Sequence, residues 1–297
     1  MPGTMRRLAL IVVVAIAACV SSIDVSAWGA QGHRLVALIA AERLTPVAKQ
    51  QAAWLLDGQT LADVANWADS FKYDQQQTTF WHFADIPLDA AGYDRDRDCP
   101  VQQGVQKGSR DDRWRDCAVD RIGYWEERLA NPKLDRADRA TALKYLVHFI
   151  ADLHQPFHAL AVGRGGNDVR VKWFGQFECN NPPAAGTPRA DRQVPCNLHA
   201  VWDSRLIDRR SLNDGDYVSA LRTVIADREL ARVPVGTPAQ WAEQSFKLAR
   251  EALVANDANI DEAYYRRHIT VIDERLALGG LRLAAELNRL LPTPPPR

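Results

Sequence analysis

The sequence predicts a mainly helical, all-α protein that forms one domain. Apolar residues recur at three- and four-residue spacing along most of the chain, which places them on one face of a helix. The helical segments predicted in this way are 33–44, 46–56, 60–70, 115–130, 136–155, 199–209, 214–227, 238–255 and 260–288. Because no internal repeat, Gly/Ser linker or change of composition divides these segments, a single domain is the simplest interpretation.

The N-terminus has the three zones of a secretory signal. Arg6 and Arg7 precede an apolar run over residues 8–20, and the small residues of Val25–Ala27 follow. The apolar run is too short to span a membrane comfortably. We therefore expect a signal peptide over residues 1–27 and an exported protein, periplasmic or secreted.

A second processing site competes with the one after Ala27. The segment Ile16–Cys19 also fits a lipoprotein signal, and cleavage there would leave a lipidated Cys19 as the first residue. In the first interpretation the mature domain comprises residues 28–290 and begins with a free amine on Trp28. The residues that bear on this choice are described below.

Two long segments and the C-terminus interrupt the helical pattern. Residues 87–114 are rich in Asp, Arg and Gly, and residues 163–197 are rich in Gly, Pro and Asn. Within the second segment, the alternating run Val169–Phe174 predicts a small β-hairpin. The tail, residues 291–297, contains four prolines, which cannot continue a helix, and is predicted to be disordered.

Four cysteines follow the leader, and an even number in an exported chain favours disulfides. Four cysteines allow three pairings. We predict the two local ones, Cys99–Cys117 and Cys179–Cys196, each of which would close one of the irregular segments.

The charge balance limits the way in which this protein could bind a phosphate. The chain has 37 basic and 37 acidic residues. A nucleic-acid-binding protein that relied on basic patches would have a clear positive excess. Any phosphate recognition must therefore use a local source of positive charge, such as bound metal.

Histidine and aspartate recur at a spacing typical of metal ligands. His148 and Asp152 are four residues apart on a predicted helix, as are His199 and Asp203, so each pair shares one helix face. One such pair is most often only a hydrogen bond or a surface ion pair. Two pairs, with His158 beyond a helix-breaking proline, favour metal, and imidazole with carboxylate suits zinc.

Two residues farther upstream fit the same interpretation. Asp69 lies near the end of a predicted helix, where the helix dipole disfavours a carboxylate, and His82 follows the apolar Phe80 and Trp81. A nearby cation would relieve both placements. The remaining His154 and His268 are interpreted as a supporting residue and a surface residue, respectively.

These residues together resemble the zinc-dependent, single-strand-specific type I nucleases and 3′-nucleotidases, the family of mung bean nuclease type, which is distantly related to bacterial zinc phospholipase C. The resemblance extends over nearly the whole mature chain. Its motifs are Trp28–His33, Trp67–Asp69, Trp81–Phe83, His148–Phe-Ile-Ala-Asp-Leu-His-Gln-Pro-Phe–His158, Gly165–Asp168 and Asn197–Asp203. Their common order and spacing make the match specific.

The resemblance implies three Zn²⁺ ions per chain. One would be held by Asp69, His82, His148 and Asp152, and a second by His158, His199 and Asp203. The third would be held by the amine and carbonyl of Trp28, by His33 and by a shared Asp152. A free Trp28 amine is then part of the site, which favours cleavage after Ala27.

The resemblance also implies catalytic and substrate-binding roles. Asp69 would orient the attacking water, and Lys72 would offset the charge that develops on the phosphate. Phe83 would stack on a base, and Asp85 and Asn167 would contact its edge. Arg164 departs from the apolar residue usual in the family and could stack through its guanidinium plane, so the base preference stays open.

The predicted function is hydrolysis of single-stranded DNA and RNA to 5′-phosphorylated products, with 3′-nucleotidase activity. The alternatives are a zinc phospholipase C and a non-enzymatic exported zinc-binding protein. Asp203 and the base-pocket residues argue against the first, and Asp69 with Lys72 against the second. We expect nucleic acids and 3′-nucleotides as the partners of a monomer that has no stable protein partner.

Overall fold

A computed structural model describes residues 28–72, 76–101, 113–179 and 195–295. The predicted signal peptide and Cys19 lie outside these ranges. In the described parts, no helix is long and apolar enough to cross a membrane.

Helices form nearly all of the regular structure, as predicted. The long helices are α1 (Ala30–Arg43), α2 (Pro46–Leu55), α5 (Ala118–Ala130), α6 (Arg136–Asp152), α10 (Asp214–Asp227), α11 (Pro238–Ala252) and α12 (Glu262–Leu290). Short helices are α3 (Trp67–Lys72), α4 (Arg95–Asp98), α7 (Gly163–Gly166), α8 (Leu198–Ala200) and α9 (Leu206–Asp208). A π-helix, Val201–Arg205, joins α8 to α9, and 3₁₀ turns cover Gln76–His82, Pro156–Ala159 and Leu230–Arg232.

The core forms around α6, whose C-terminal half is buried on every side from Ala142 to Asp152 except at Lys144. Asp135 caps its N-terminus by accepting a hydrogen bond from the backbone N–H of Asp138. The long α12 packs closely on α1, because Gly280 faces Ile39 and a Cβ at that glycine would lie 2.6 Å from the Ile39 Cβ. The core thus fixes the end of α6 firmly inside the molecule.

One predicted helix is shorter than expected. The periodic segment 60–70 becomes helical only at Trp67, and the residues before it form turns. Thr60 and Asp63 exchange side-chain to backbone hydrogen bonds, and the next backbone bonds, such as that from Trp67 N–H to Val64 C=O, span three residues. Local side-chain bonding of this kind competes with the α-helical ladder.

The predicted hairpin at Val169–Phe174 is largely wrong. Strand β1 (Val171–Trp173) pairs in parallel with strand β2 (Ala258–Ile260), far along the chain. Trp173 and Gln176 pair across a tight turn in an isolated antiparallel bridge, and Arg170 forms another with Asn197. The alternating pattern indicated an extended strand correctly, but it carries no information about a distant partner.

The structure confirms both predicted disulfides, Cys99–Cys117 and Cys179–Cys196. It contradicts the surface location expected for His268, which is only 6% exposed. The His268 ring packs against Tyr264 and Trp202, with ring centroids 4.1 and 5.3 Å away. Burial and the nearby Arg267 lower the pKa of His268 to about 4, so it is a neutral core residue.

Candidate metal centre

Asp152, the last residue of α6, lies at the middle of a buried group of histidines. Its Oδ2 is 3.0 Å from His82 Nδ1 and 3.3 Å from His148 Nε2. Its Oδ1 is 3.4 Å from His33 Nε2. The helical spacing brings His148 to Asp152 one turn away, whereas α1 and the 3₁₀ turn Gln76–His82 supply the other two rings.

The first group of potential ligands consists of Asp69, His82, His148 and Asp152. Five of the six distances between their nearest nitrogen and oxygen atoms range from 3.0 to 3.8 Å. Four ligands placed tetrahedrally around zinc at its usual bond lengths would be separated by roughly 3.3 Å. These five distances are therefore close to those expected in a tetrahedral zinc site.

A second group forms where the chain enters the π-helix Val201–Arg205. His199 Nε2 is 3.2 Å from Asp203 Oδ2, and His158 Nε2 is 4.0 Å from Asp203 Oδ1. The wider turn of a π-helix is common at functional sites. Gln155, which sequence analysis missed, donates a hydrogen bond of 2.6 Å to Asp203 Oδ1, while its own Oε1 accepts one from the Phe157 N–H.

The third group contains His33, His148 and Asp152, and it lies beside the first residue of the predicted mature chain. The His33 ring is stacked on His148, with centroids 4.0 Å apart. Trp28 is fully buried, and its indole N–H donates to the Ala151 carbonyl, next to Asp152. The following Gly29 N–H donates to the Asp203 carbonyl, so residues 28 and 29 are bonded to the backbone at Ala151 and at Asp203.

Backbone carbonyl groups orient three of the histidine rings. His148, His158 and His199 each donate from Nδ1 to a backbone carbonyl, and the Nε2 of each ring lies 3.2–4.0 Å from an aspartate oxygen of the centre. The accepting carbonyls belong to Ala65, His82 and Gly165, at 2.7, 2.8 and 2.6 Å respectively. A bond of this kind fixes the tautomer that a metal requires.

Gly165 is needed for one of these bonds. Its φ of +66° favours glycine, and a Cβ there would lie 2.6 Å from the Phe157 carbonyl oxygen and 3.2 Å from His199 Nδ1. A larger residue would therefore push away the carbonyl that orients His199.

Within the part of the chain that the structure describes, several buried polar atoms at the centre make no hydrogen bond. They include both ring nitrogens of His33, Nε2 of His82, Oδ1 of Asp152 and Nε2 of His158. Leaving such a group unsatisfied costs about 1–3 kcal/mol. A neutral imidazole has one nitrogen with a free electron pair, as has a carboxylate oxygen, so bound cations would satisfy one nitrogen of each ring together with Asp152 Oδ1.

The pKa shifts at the centre also indicate that its ligands lack a neighbouring positive charge. Burial raises the pKa of Asp152 and of Asp203 well above the usual range. Burial also lowers the pKa of His33, His82 and His158 well below the usual range, so that these imidazoles are neutral. A divalent cation binds neutral imidazole and ionised carboxylate, so its charge would favour the ionised form of both aspartates.

Asp69, His148 and Lys72 form the more strongly charged edge of the centre. Burial lowers the pKa of His148, but the charges of Asp152 and Asp69 outweigh this and raise it to about 9. Burial raises the pKa of Asp69, but the electrostatic and hydrogen-bonding interactions with His148, His82 and Lys72 outweigh burial and lower it. Lys72 Nζ is 2.8 Å from Asp69 Oδ1, and both side chains are largely buried.

Two other residue sets near these segments do not belong to the centre. His154 is buried, but its Nδ1 donates to the Ile150 carbonyl and its Nε2 accepts from Arg282, so it has a structural role, as expected. Cys99 and Cys117 lie near Asp120, within reach of one metal ion, but their sulfur atoms form a disulfide.

A cleft of about 410 Å³ opens beside His199. Its lining includes all four predicted base-pocket residues, Phe83, Asp85, Arg164 and Asn167, and also Phe80. Burial and the neighbouring Asp98 raise the pKa of Asp85 to about 6. The cleft therefore presents aromatic faces and hydrogen-bonding groups directly beside a potential metal ligand.

Comparison with known proteins identifies the family of this chain. The family model for S1/P1 nucleases matches residues 28–292. The chain belongs to the S1/P1 nuclease family. Membership supports a nuclease function, in which a phosphodiester bond is hydrolysed, and the clustered histidine and aspartate groups agree with the metal dependence of S1/P1 nucleases.

Individual S1/P1 nucleases match along nearly their whole length. Endonuclease 2 of Arabidopsis thaliana is 28% identical, over 90% of this chain and 91% of its own. Nuclease P1 of Penicillium citrinum is 27% identical, over 89% of this chain and 97% of its own. Nuclease S1 of Aspergillus oryzae is 27% identical, over 90% of this chain and 93% of its own. The resemblance inferred from the motifs is thus confirmed.

Proposed function

We propose that this protein is an exported phosphodiesterase that binds three zinc ions and hydrolyses single-stranded DNA and RNA to 5′-phosphorylated products, with 3′-nucleotidase activity. The observation that carries the proposal is the position of the cleft. His199 belongs both to the lining of the cleft and to one of the three groups of potential metal ligands. A nucleotide in the cleft would therefore hold its phosphate beside the metal groups.

The donor set favours zinc and a shared central ligand. The groups contain only imidazole nitrogen and carboxylate oxygen, which zinc accepts in tetrahedral sites. Asp152 takes part in two of the groups through different oxygen atoms. When bound in these groups, zinc would lower the pKa of the attacking water and neutralise the leaving oxygen, the usual roles of metal ions in phosphoryl chemistry.

Asp69 and Lys72 would assist from the edge of the centre. The lowered pKa of Asp69 keeps this carboxylate ionised, so that it can accept a hydrogen bond from the attacking water and orient it. Lys72, held 2.8 Å from Asp69, would place a positive charge near the phosphate as negative charge develops there.

The shape of the cleft supports a preference for single strands. Phe83 and Asp85 lie inside it, so a base must leave its own stack to reach them. A duplex resists this movement, whereas a single strand allows it at much lower cost.

The position of Trp28 supports signal cleavage after Ala27. Its side chain is buried beside Ala151, and its neighbour Gly29 is bonded to Asp203, so a free amine at Trp28 would lie at the centre. We expect the exported protein to have the mass of a chain that begins at Trp28. A lipidated protein that begins at Cys19 would contradict this part of the proposal.

The proposed activity is tested by incubating the purified protein that begins at Trp28 with a single-stranded oligonucleotide, the matching duplex, a nucleoside 3′-phosphate and phosphatidylcholine. We expect hydrolysis of the single strand and of the 3′-phosphate, with 5′-phosphates on the oligonucleotide products. A chelator should abolish both reactions, and added zinc should restore them. Cleavage of the lipid alone would indicate a phospholipase C, and inactivity despite bound zinc would indicate a zinc-binding protein.

A further inference from the structure

Phe80 is an exposed aromatic residue at the mouth of the cleft. Half of its surface is accessible, although it lies among the residues that line the cleft together with Phe83. The two ring centroids are 6.1 Å apart, and the ring planes meet at 69°. A phenylalanine that is this exposed next to a binding cleft offers an unused aromatic face.

The 3₁₀ turn Gln76–His82 holds Phe80 in place. The next residue, Trp81, donates from its indole N–H to Asp116 at 2.7 Å and lies under the Arg121 guanidinium at 4.2 Å. His82, at the end of the same turn, reaches Asp152 in the metal centre. The position of Phe80 is therefore fixed relative to the metal ligands.

Arg164 is the other large side chain at the mouth of the cleft, and it is already paired with an acidic residue. Its guanidinium makes two-point contact with Asp168, at 2.5 Å from Oδ1 and 3.0 Å from Oδ2. Stacking of Arg164 on a base would compete with this ion pair. Phe80 therefore offers the more readily available flat surface.

From this geometry we propose that Phe80 stacks on the base next to the one bound at Phe83, so that the cleft grips two successive nucleotides. The inference rests on the proposed nuclease function. One flat base cannot stack on two rings that are inclined by 69°, so each ring takes a different base. The two bases are splayed apart, which selects an unpaired strand of at least two nucleotides.

The test compares kcat/KM for a dinucleotide, thymidylyl-(3′→5′)-thymidine, with that for thymidine 3′-phosphate, which has one base. In Phe80→Ala the ratio of kcat/KM for the dinucleotide to that for the mononucleotide should fall about 5- to 150-fold, the range expected for one lost base–aromatic stack. Phe80→Trp should restore the ratio. Phe177→Ala is the matched control, because Phe177 is 40% exposed and is not among the residues that line the cleft.

An unchanged ratio in Phe80→Ala, with the wild type active on both substrates, would overturn this inference and leave the proposed function intact. If the wild type hydrolyses neither substrate, the proposed function fails. In that case, calorimetry with the same dinucleotide still tests whether Phe80 contacts a base. Equal affinity of the wild type and Phe80→Ala for the dinucleotide would overturn the inference about Phe80.

Discussion

Two buried polar clusters flank the end of α6, and they differ in how fully their polar groups are bonded. Around Asp152, rings and carboxylates face one another with acceptor atoms that make no hydrogen bond. Around His154, both ring nitrogens are bonded, to Ile150 and to Arg282. The two histidine environments begin only six residues apart in the motif His148–His158.

The cluster around His154 shows that a buried charged residue need not belong to a metal-binding or catalytic site. Arg275 is buried, yet its guanidinium donates to the His154 carbonyl, to Ser245 Oγ and to Gln244 Oε1. These bonds connect α12 to α11 and to the end of α6. Burial alone therefore does not distinguish structural from functional polar groups, whereas the metal groups have several acceptor atoms without a hydrogen bond gathered at one point.

The largest expected effect follows from removing the shared carboxylate. Asp152→Asn should lower kcat/KM by at least a factor of about one hundred, since bound metal contributes several kcal/mol to such reactions. It should also reduce the zinc content measured by mass spectrometry of digested protein.

The same substitution should not destabilise the metal-free protein. Burial raises the pKa of Asp152, so the charged carboxylate is unfavourable in the apo fold at neutral pH. In chelator, the melting temperature of Asp152→Asn should therefore equal or exceed that of the wild type. A large loss of stability in chelator would mean that Asp152 stabilises the fold, as His154 does. The two clusters would then not differ in function.

His154→Ala should give the opposite result. The change leaves a cavity and deprives Arg282 of its acceptor, and we expect a loss of roughly 2–4 kcal/mol in the free energy of unfolding. Zinc content of the folded protein should stay at the wild-type value. Loss of zinc without loss of stability would place His154 in the metal centre and contradict the structural interpretation.

A smaller effect is expected from Asp85, whose pKa is raised to about 6. Below this pH the protonated carboxyl can donate to adenine N1 and accept from its amino group, and above it the carboxylate accepts from guanine N–H groups. Raising the pH from 5 to 7 should therefore shift the kcat/KM ratio toward guanine substrates, by roughly fivefold for one hydrogen bond.

Asp85→Asn provides the control for this shift. An amide keeps its NH₂ donor group and its carbonyl acceptor at every pH, so the guanine-to-adenine ratio of kcat/KM should be constant between pH 5 and 7. Titration of the metal centre affects both substrates equally and cancels in the ratio. A wild-type ratio that does not change with pH would show that Asp85 does not contact the base.

Helical periodicity predicted the long helices well, and the i, i+4 pairs at His148 and His199 predicted that these groups would meet their aspartates. The pairing of β1 with β2 and the burial of His268 could not be predicted, because both depend on contacts with distant segments. Gln155 was missed for the same reason, since its partner Asp203 is distant in sequence.

The most direct test of the central claim is anomalous X-ray scattering at the zinc edge, from crystals of the protein that begins at Trp28. The claim is that unused acceptor atoms around Asp152 and Asp203 mark metal positions. We expect three peaks, one within each group of ligands, and none beside His154. Absence of zinc from these groups in an active protein, or zinc bound at His154, would contradict it.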